Sequence, residues 1–200
     1  MPDLPSGPRV LVVGQVEDDA SIRTGAGDIK TNRALLHAAR DANPDAVLIY
    51  KPHPDVETGL RDGAFDASGI ADVIADKADI AALLDQVQSL WTMTSLTGFE
   101  ALLRGVHVTT TGAPFYAGWG LTQDLGDVPP RRRAEVSLAG LVYATLIDYP
   151  RYFDPKTGLA CTPEVAIRRL STGDIPRASA LNRLVSKAQG ALASYAHLWR

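Results

Sequence analysis

The sequence has one cysteine, no long apolar run and no signal-peptide pattern, and each absence excludes a class of protein. The lone Cys161 rules out an internal disulfide framework and a cysteine-based zinc site. No uninterrupted apolar stretch approaches the roughly 20 residues that a membrane-spanning helix needs. The N-terminus lacks the charged and then apolar order of a secretion signal. We therefore expect a cytoplasmic protein.

Charge is divided unevenly along the chain, although the net charge is only −3. Residues 1–130 contain 9 Lys and Arg against 18 Asp and Glu, whereas residues 131–200 contain 11 against 5. A basic half of this kind is typical of a surface for an anionic partner, such as a membrane leaflet or a charged glycan. Ordinary solvated helix faces give the same pattern. We expect no nucleic-acid partner, and peripheral contact with the inner membrane is one reading.

Short apolar runs alternate with helical patterns along the first two thirds of the chain. Strands are predicted over 9–13, 46–50, 71–74, 88–93 and 106–110, and helices over 28–42, 79–84 and 98–104. This alternation predicts an α/β fold with a Rossmann-like parallel sheet and helices on both faces. Asp28 and Asp79 are the expected caps of the first two helices.

The rest of the chain divides into two further segments. Residues 1–8 are rich in proline, glycine and serine and are expected to be a disordered end or a linker. Residues 9–130 form the predicted Rossmann-like domain. Residues 131–200 are expected to be a helical extension that packs on it, with helices over 137–146, 163–170 and 178–198.

The segment Lys51-Pro52-His53-Pro54-Asp55 directly follows the second predicted strand. Ligands of parallel α/β sheets bind beyond the carboxyl ends of the strands. The two prolines restrict the backbone on both sides of His53, so its imidazole points in a narrow range of directions. Such a histidine could stabilise a departing phosphate, and Lys51 could add positive charge or simply lie on the surface.

A second segment, Thr94-Ser95-Leu96-Thr97-Gly98-Phe99-Glu100, follows the fourth predicted strand and starts a helix. Backbone N–H groups at a helix start are expected to be unpaired and to attract a phosphate. The hydroxyl groups of Ser95 and Thr97 add donors, and Gly98 would allow close approach. Glu100 could accept hydrogen bonds from a ribose, but a serine or threonine here could equally be an ordinary helix cap.

Three consecutive carboxylates, Glu17, Asp18 and Asp19, follow the first predicted strand. Neighbouring side chains cannot all face one site, so one or two at most can act in catalysis. No histidine accompanies them and their spacing fits no oxygen-ligand loop, which argues against a metal site. A carboxylate nucleophile or base facing a sugar and a solvated acidic loop both stay open.

Taken together, these segments resemble the bacterial capsule-polysaccharide β-Kdo transferases, retaining enzymes that build a Kdo linker between capsule glycan and lipid. The resemblance is carried by 14–21, 51–55, 94–102, 112–122, 130–132 and 149–152, and so covers most of the chain. It implies one half of a GT-B-like glycosyltransferase, a second half-domain as partner, and CMP-Kdo as the donor substrate. The implied acceptor is a lipid-linked Kdo or glycan.

The resemblance also implies roles for individual residues. His53 would lie at the donor phosphate with Ser95, Thr97 and Gly98 near it, and Glu100 would face the ribose. In the Gln-x-x-x-Asp pattern, which maps from Gln15 to Asp19, the aspartate is the nucleophile of a double displacement. Asp18 is the reserve for that role, and Lys51 belongs to the donor side.

No cofactor or metal is expected, because CMP is a good leaving group and the sequence has no Asp-x-Asp triplet. Two other functions stay open at this point. One is a sialyltransferase-like enzyme that uses another CMP-sugar. The other is a module without catalytic activity that binds a nucleotide or glycan during capsule assembly.

Overall fold

Six parallel strands form one sheet in the computed structural model, which describes residues 3–176 and Val185. The strands are β1 (Arg9–Val13), β2 (Val47–Lys51), β3 (Val73–Ile74), β4 (Ser89–Thr92), β5 (His107–Thr110) and β6 (Gln123–Asp124). Their spatial order is β3, β2, β1, β4, β5, β6. The predicted parallel α/β sheet is therefore confirmed, and the polar two-residue edge strand β6 was not predicted.

The direction in which successive strands are added reverses between β1 and β4. From β1 the chain adds β2 and β3 on one side, then returns to place β4 on the other side of β1. Right-handed crossovers then put the connecting helices on opposite faces of the sheet. A crevice opens beyond the carboxyl ends of the strands at such a reversal, and ligands bind there in doubly wound sheets.

Five helices connect the strands of the sheet. They are α1 (Ala20–Gly25), α2 (Asn32–Ala42), α3 (Pro54–Glu57), α4 (Ile80–Leu84) and α5 (Thr97–Leu103). Helix α2 packs Leu35, Leu36 and Ala39 against the sheet, and all three side chains are fully buried. Apolar residues three or four apart share one face of a helix, which is why the sequence predicted this contact.

Helix α2 begins later than the sequence predicted. Its N-cap is Thr31, whose hydroxyl accepts a hydrogen bond from Ala34 N at 3.2 Å. Asp28 lies exposed, before the helix, so its predicted capping role was wrong. Ala26 instead forms an isolated bridge with Gly112, which holds the chain extended ahead of the helix. By contrast, Asp79 caps α4 as predicted, accepting from Ala82 N at 2.9 Å.

The described residues fall into two compact units, divided between Leu141 and Val142. The sequence predicted a boundary at residue 130. The assignment of a CMP-sugar-binding domain before it and a helical extension after it stays a prediction. Around the division lie α6 (Leu138–Val142) and a π-helical turn, Tyr143–Asp148. The second unit contains a hairpin of β7 (Tyr152–Phe153) and β8 (Ala160–Cys161), followed by α7 (Pro163–Thr172).

The hairpin of the second unit was not predicted, because strands of two residues carry no periodicity. Helix α7 matches the helix predicted over 163–170, with proline in its first turn and Gly173 in the left-handed conformation after its end. The helix predicted over 178–198 lies outside the described residues. No helix in the described part of the chain is long and apolar enough to cross a membrane.

Candidate functional site

The three polar segments singled out in the sequence meet at the carboxyl edge of the sheet. Gln15 follows β1, His53 follows β2, and Ser95 lies between β4 and α5. Since β1 lies between β2 and β4, the three segments are brought together by strand order alone. Their side chains surround two adjoining cavities that share His53 and Ser95 as walls.

The first cavity, here called the lysine cavity, has a volume of about 360 Å³. It lies between the ends of β1 and β2 and the start of α4, and contains the helix cap Asp79. Its lining residues are Val13, Gly14, Lys51, Pro52, His53, Pro54, Ala78, Asp79, Ile80, Ser95 and Thr97. The lining is mostly apolar, with a few polar groups that converge, as is usual for small-molecule sites.

The second cavity, here called the aspartate cavity, has a volume of about 400 Å³. It contains two carboxylates, Asp19 and Asp55, and one arginine, Arg61. Its lining residues are Gln15, Val16, Asp19, Ser21, His53, Asp55, Arg61, Thr94, Ser95 and Leu96. The two cavities therefore differ in character: the first resembles a slot for an apolar or planar group, and the second is lined by more charged side chains.

His53 stands between the two cavities as the N-cap of the short helix α3. Its Nδ1 accepts a hydrogen bond from Asp55 N at 3.2 Å. With Nδ1 as the acceptor in this contact, Nε2 is the ring nitrogen that is left to donate to a ligand. His53 lines both cavities, and 38% of its side chain is exposed.

The helix start at Thr94 to Gly98 differs from the sequence expectation. Its backbone N–H groups were expected to be unpaired, but four of them have partners within the protein. Thr94 N donates to Gln15 Oε1, Ser95 N to Thr92 Oγ1, Thr97 N to Ser95 Oγ, and Gly98 N to Ser95 O. The groups that can face a ligand here are therefore chiefly the hydroxyls of Ser95 and Thr97, which lie 3.2 Å apart.

Gln15 connects the ends of β1 and β4. Its Oε1 accepts from Thr92 Oγ1 at 3.1 Å and from Thr94 N at 2.9 Å, and its Nε2 donates to Thr94 Oγ1 at 2.9 Å. The residue is buried, and Asn32 holds its backbone on both sides. These contacts fix the positions of the two cavity walls relative to each other.

Lys51 is nearly buried at the end of β2. Its ammonium donates to the carbonyl oxygen of Asp76 and lies 3.8 Å from Glu57 Oε2. It lines the lysine cavity, and its positive charge is partly balanced by Glu57. The alternative that Lys51 is an ordinary surface residue is wrong, because only 8% of it is exposed.

The three consecutive carboxylates have three different partners. Glu17 accepts from Asn32 N at 2.7 Å, Asp18 pairs with Arg61 at 2.8 Å, and Asp19 caps α1 by accepting from Ser21 N at 2.8 Å. Of these three, Asp19 alone lines the aspartate cavity. Hydrogen bonds from Ser21, aided by the positive charge of Arg61 and Arg23, lower the pKa of Asp19, so it is ionised at neutral pH.

Gly98 and Glu100 lie farther along α5 and line neither cavity. A Cβ on Gly98 would stand 2.1 Å from the hydroxyl oxygen of Tyr116. Glycine at this position is thus required by Tyr116, which is fully buried and donates to Ser95 O. Glu100 is half-buried one turn into the helix, where its charge complements the helix dipole.

Sequence reasoning missed Arg61, Asn32 and Tyr116. Arg61 lies in the turn after α3, a segment without periodicity or motif. Asn32 is completely buried in the first turn of α2, and the hydroxyl of Tyr116 donates a hydrogen bond to the carbonyl oxygen of Ser95. Tyr116 belongs to the segment 112–122 that carries the family resemblance, but its contact with Gly98 depends on the fold. No cluster of metal-binding side chains occurs among the described residues.

The chain matches the family model described as capsule polysaccharide biosynthesis protein over residues 5–152. It is 54% and 52% identical over 164 residues to the capsule polysaccharide modification proteins LipA of Neisseria meningitidis serogroups A and B. These matches cover 80% of this chain and 23% of each LipA. It is 46% identical to the lipopolysaccharide-processing protein LpsZ of Rhizobium meliloti, over 82% of this chain and 38% of LpsZ.

Two solved structures of Thermosulfurimonas dismutans KpsC are similar in fold. One is the β-Kdo 2,7 transferase, with a TM-score of 0.76 and 38% identity over 87% of this chain and 57% of that chain. The other is the β-Kdo 2,4 transferase, with a TM-score of 0.74 and 36% identity over 83% and 52%. The chain thus spans about half the length of these structures and less of the curated relatives.

Proposed function

The chain belongs to the capsule polysaccharide biosynthesis protein family, and from that membership we propose that it is the donor-binding half of a Kdo transferase that uses CMP-Kdo. The observation that carries the proposal is the pair of adjoining cavities with His53 and Ser95 between them. A sugar nucleotide has two bulky ends joined by phosphate. Two cavities joined by a phosphate-binding wall suit such a ligand.

In this proposal the cytidine part of CMP occupies the lysine cavity and the sugar occupies the aspartate cavity. The phosphate then lies against the Nε2–H of His53 and the hydroxyls of Ser95 and Thr97. Hydrogen bonds to a leaving phosphate grow stronger as its negative charge develops, so they stabilise the transition state more than the bound donor. Lys51 adds positive charge to the nucleotide side. Glu100 lines neither cavity, so its contact with the ribose, which the family resemblance implies, is proposed only for a ribose that extends beyond the lysine cavity.

We further propose that configuration is retained through two displacements. The ionised carboxylate of Asp19 attacks the anomeric carbon of Kdo, the bond to the phosphate oxygen breaks, and CMP leaves. An acceptor hydroxyl then attacks the same carbon, loses its proton, and releases the carboxylate of Asp19. The support for Asp19 over Asp18 is that Asp19 lines the cavity, whereas Asp18 is held by Arg61.

The acceptor, a lipid-linked Kdo or glycan, and a second half-domain complete the proposal. The similarity to about half of each KpsC chain supports a second half-domain, because GT-B-like sites lie between two such halves. The basic segment 131–200 is proposed to contact the anionic inner leaflet, where a lipid-linked acceptor would lie. Cosedimentation with anionic and with neutral liposomes tests that contact, and equal binding to both would refute it.

Calorimetry with CMP on the full-length gene product tests the donor site. We use His53→Asn because asparagine can still cap α3 through its oxygen, while it removes the Nε2–H. We expect the CMP affinity to fall about tenfold or more, as for the loss of a hydrogen bond to a charged group. His107→Asn is the matched control, since His107 is exposed at the opposite edge of the sheet.

Three results would test the donor site and the two alternative functions. If the CMP affinity is unchanged in both His53→Asn and Ser95→Ala, the proposed position of the phosphate between the two cavities is wrong. A stronger inhibition by CMP-sialic acid than by CMP-Kdo, measured in donor competition, would favour the sialyltransferase-like alternative. Turnover of CMP-Kdo by the full-length protein alone would exclude a module without catalytic activity.

A further inference from the structure

Arg61 lines the aspartate cavity, together with Asp19, His53 and Ser95. The turn that carries it is held by its backbone at three successive residues. Arg61 N donates to Asp55 O at 3.2 Å, and the carbonyl oxygen of Asp62 accepts from Glu17 N at 3.1 Å. The carbonyl oxygen of Gly63 accepts from Asn32 at 3.0 Å. The backbone from which the side chain of Arg61 extends is therefore held in place by hydrogen bonds.

The guanidinium of Arg61 uses only part of its hydrogen-bonding capacity. Nε and Nη2 both donate to one oxygen, Oδ1 of Asp18, at 3.2 and 2.8 Å. A guanidinium has five N–H donors, so three remain, two on Nη1 and one on Nη2. Nη1 has no hydrogen-bond partner within the part of the chain that the structure describes. The unused hydrogens of Nη1 and Nη2 form the fork that can bind a carboxylate through two parallel hydrogen bonds.

Charge in the two cavities also singles out Arg61. The aspartate cavity contains the carboxylates of Asp19 and Asp55, which repel an anionic sugar. Lys51, in the other cavity, already donates to the carbonyl of Asp76 and lies near Glu57. A sugar acid placed in the aspartate cavity therefore needs a cation with unused donors, and Arg61 meets this requirement.

We propose that Arg61 recognises the carboxylate of an acidic sugar in the aspartate cavity and so selects sugar acids over neutral sugars. The proposal rests on the proposed function for the identity of the sugar. The contact with Asp18 uses one side of the guanidinium and leaves its outer donors free. An exposed ion pair contributes little to stability, so we expect substitutions of Arg61 and Asp18 to leave the fold intact.

The experiment compares two probes on the full-length gene product, the methyl glycoside of Kdo and the same glycoside with its carboxyl group methylated. Both are titrated by saturation-transfer NMR, with and without saturating CMP. We expect the acid to bind the wild type about tenfold or more tightly than the ester, since charge-assisted bidentate contacts are the strong ones. Arg61→Ala should abolish this preference, and Arg61→Lys should restore it in part.

Three controls accompany Arg61→Ala. Arg104→Ala removes another arginine that pairs with an aspartate, Asp85, but lies at the end of α5 away from both cavities, and it should retain the preference. Asp18→Asn keeps the cation and should retain the preference as well. Thermal unfolding of each variant checks that the fold is intact.

The possible outcomes separate this proposal from the proposed function. If Arg61→Ala still prefers the acid, or if the wild type binds the acid and ester equally or binds neither, the role of Arg61 is refuted. CMP binding is measured independently. If the wild type binds CMP but shows no preference for the acid, the donor site is supported and the role of Arg61 is refuted. The wild type could instead fail to bind CMP and still prefer the acid, with that preference absent in Arg61→Ala. This result would support the carboxylate site and refute the assignment of the nucleotide.

Discussion

At the scale of single residues, the consecutive acids at 17–19 show how position along a turn decides chemistry. Successive side chains leave the backbone in different directions, so each of the three carboxylates has its own partner. The charge of Asp19 is stabilised by Ser21 N–H, which lowers its pKa from the ordinary value of 3.8. A nucleophile must be ionised, and this carboxylate meets that condition throughout the neutral range.

Replacing Asp19 by asparagine should separate catalysis from folding. Asparagine still accepts from Ser21 N as a helix cap, so we expect the melting temperature to change little. With CMP-Kdo, kcat of the full-length protein should fall about a thousandfold or more, because the proposed nucleophile is lost. Intact-mass measurement should reveal a sugar adduct in the wild type and in Asp18→Asn, but not in Asp19→Asn.

The same assignment predicts the pH profile of kcat/KM. A lowered pKa keeps Asp19 ionised above pH 3.8, so this group should cause no loss of activity as the pH falls from about 7 to 5. If the sugar adduct still forms in Asp19→Asn, the nucleophile is a residue other than Asp19.

Gly98 gives a prediction about stability. Since a new Cβ would meet Tyr116 at 2.1 Å from its oxygen and 2.6 Å from its ring, Gly98→Ala must displace a fully buried side chain. We expect the free energy of unfolding to fall by about 1–3 kcal/mol, as for other overpacked cores. Urea unfolding measures it, with Gly140→Ala as control because its nearest contacts, at 3.2 Å, are side-chain ends that can shift. Equal losses in both variants would contradict this explanation.

At the scale of secondary-structure elements, α2 shows how a local signal can mislead. Asp28 and Thr31 are both residues that favour helix caps, and the sequence pattern alone favoured the first. The bridge between Ala26 and Gly112, together with the contact from Glu17 to Asn32 N, fixes where the helix can begin. The cap is thus chosen by tertiary contacts rather than by propensity.

This difference is measurable in a matched pair of variants. Thr31→Ala removes the hydrogen bond to Ala34 N and should lower the free energy of unfolding by about 1 kcal/mol. Asp28→Ala changes an exposed side chain and should have an effect within about 0.5 kcal/mol. Chemical denaturation of both variants decides between the two caps, and the reverse order would restore Asp28 as the cap.

At the scale of the whole molecule, the second unit depends on a different kind of interaction from the first. Its large apolar side chains are mostly exposed, and Asp154 pairs with Arg169 through two hydrogen bonds, at 3.1 and 3.0 Å. Hydrogen bonds from Arg169 and from Lys156 N lower the pKa of Asp154 below 3.8. Among the residues of this unit that the structure describes, ionic contacts join the hairpin to α7.

The lowered pKa fixes the pH range in which this contact is lost. Asp154 stabilises the folded unit fully above its ordinary pKa, and the contribution disappears as the pH falls below 3.8 through the lowered value. We expect amide NMR signals of β7, β8 and α7 to change in that range. Arg169→Met should produce the same change already at neutral pH.

Lys156→Met is the control for that experiment. It removes the exposed contact to Asp174 and leaves the Asp154 pair in place, so the signals of the hairpin should be nearly unchanged at neutral pH. If Lys156→Met and Arg169→Met disturb the unit equally, the bidentate pair is not what holds it.

Much of the sheet could be predicted from the sequence because burial on both sides leaves continuous apolar runs. Residues 9–13 and the helix that Asp79 caps match the structure, and the other long strands differ at their ends by a few residues. The edge strand β6 and the hairpin escaped prediction, since two residues carry no period. Whether the second unit continues as a helix over 178–198 stays a prediction.

The sequence by itself determined that polar motifs follow β1, β2 and β4, and strand order then requires those motifs to share one edge. Only the tertiary structure decided which side chains face the cavities. Hydrogen bonds across 77 to 79 positions pair Gln15 with Thr92 and Thr94, and a contact across 43 positions brings Arg61 to Asp18. Such contacts depend on how distant loops pack, and no local pattern encodes them.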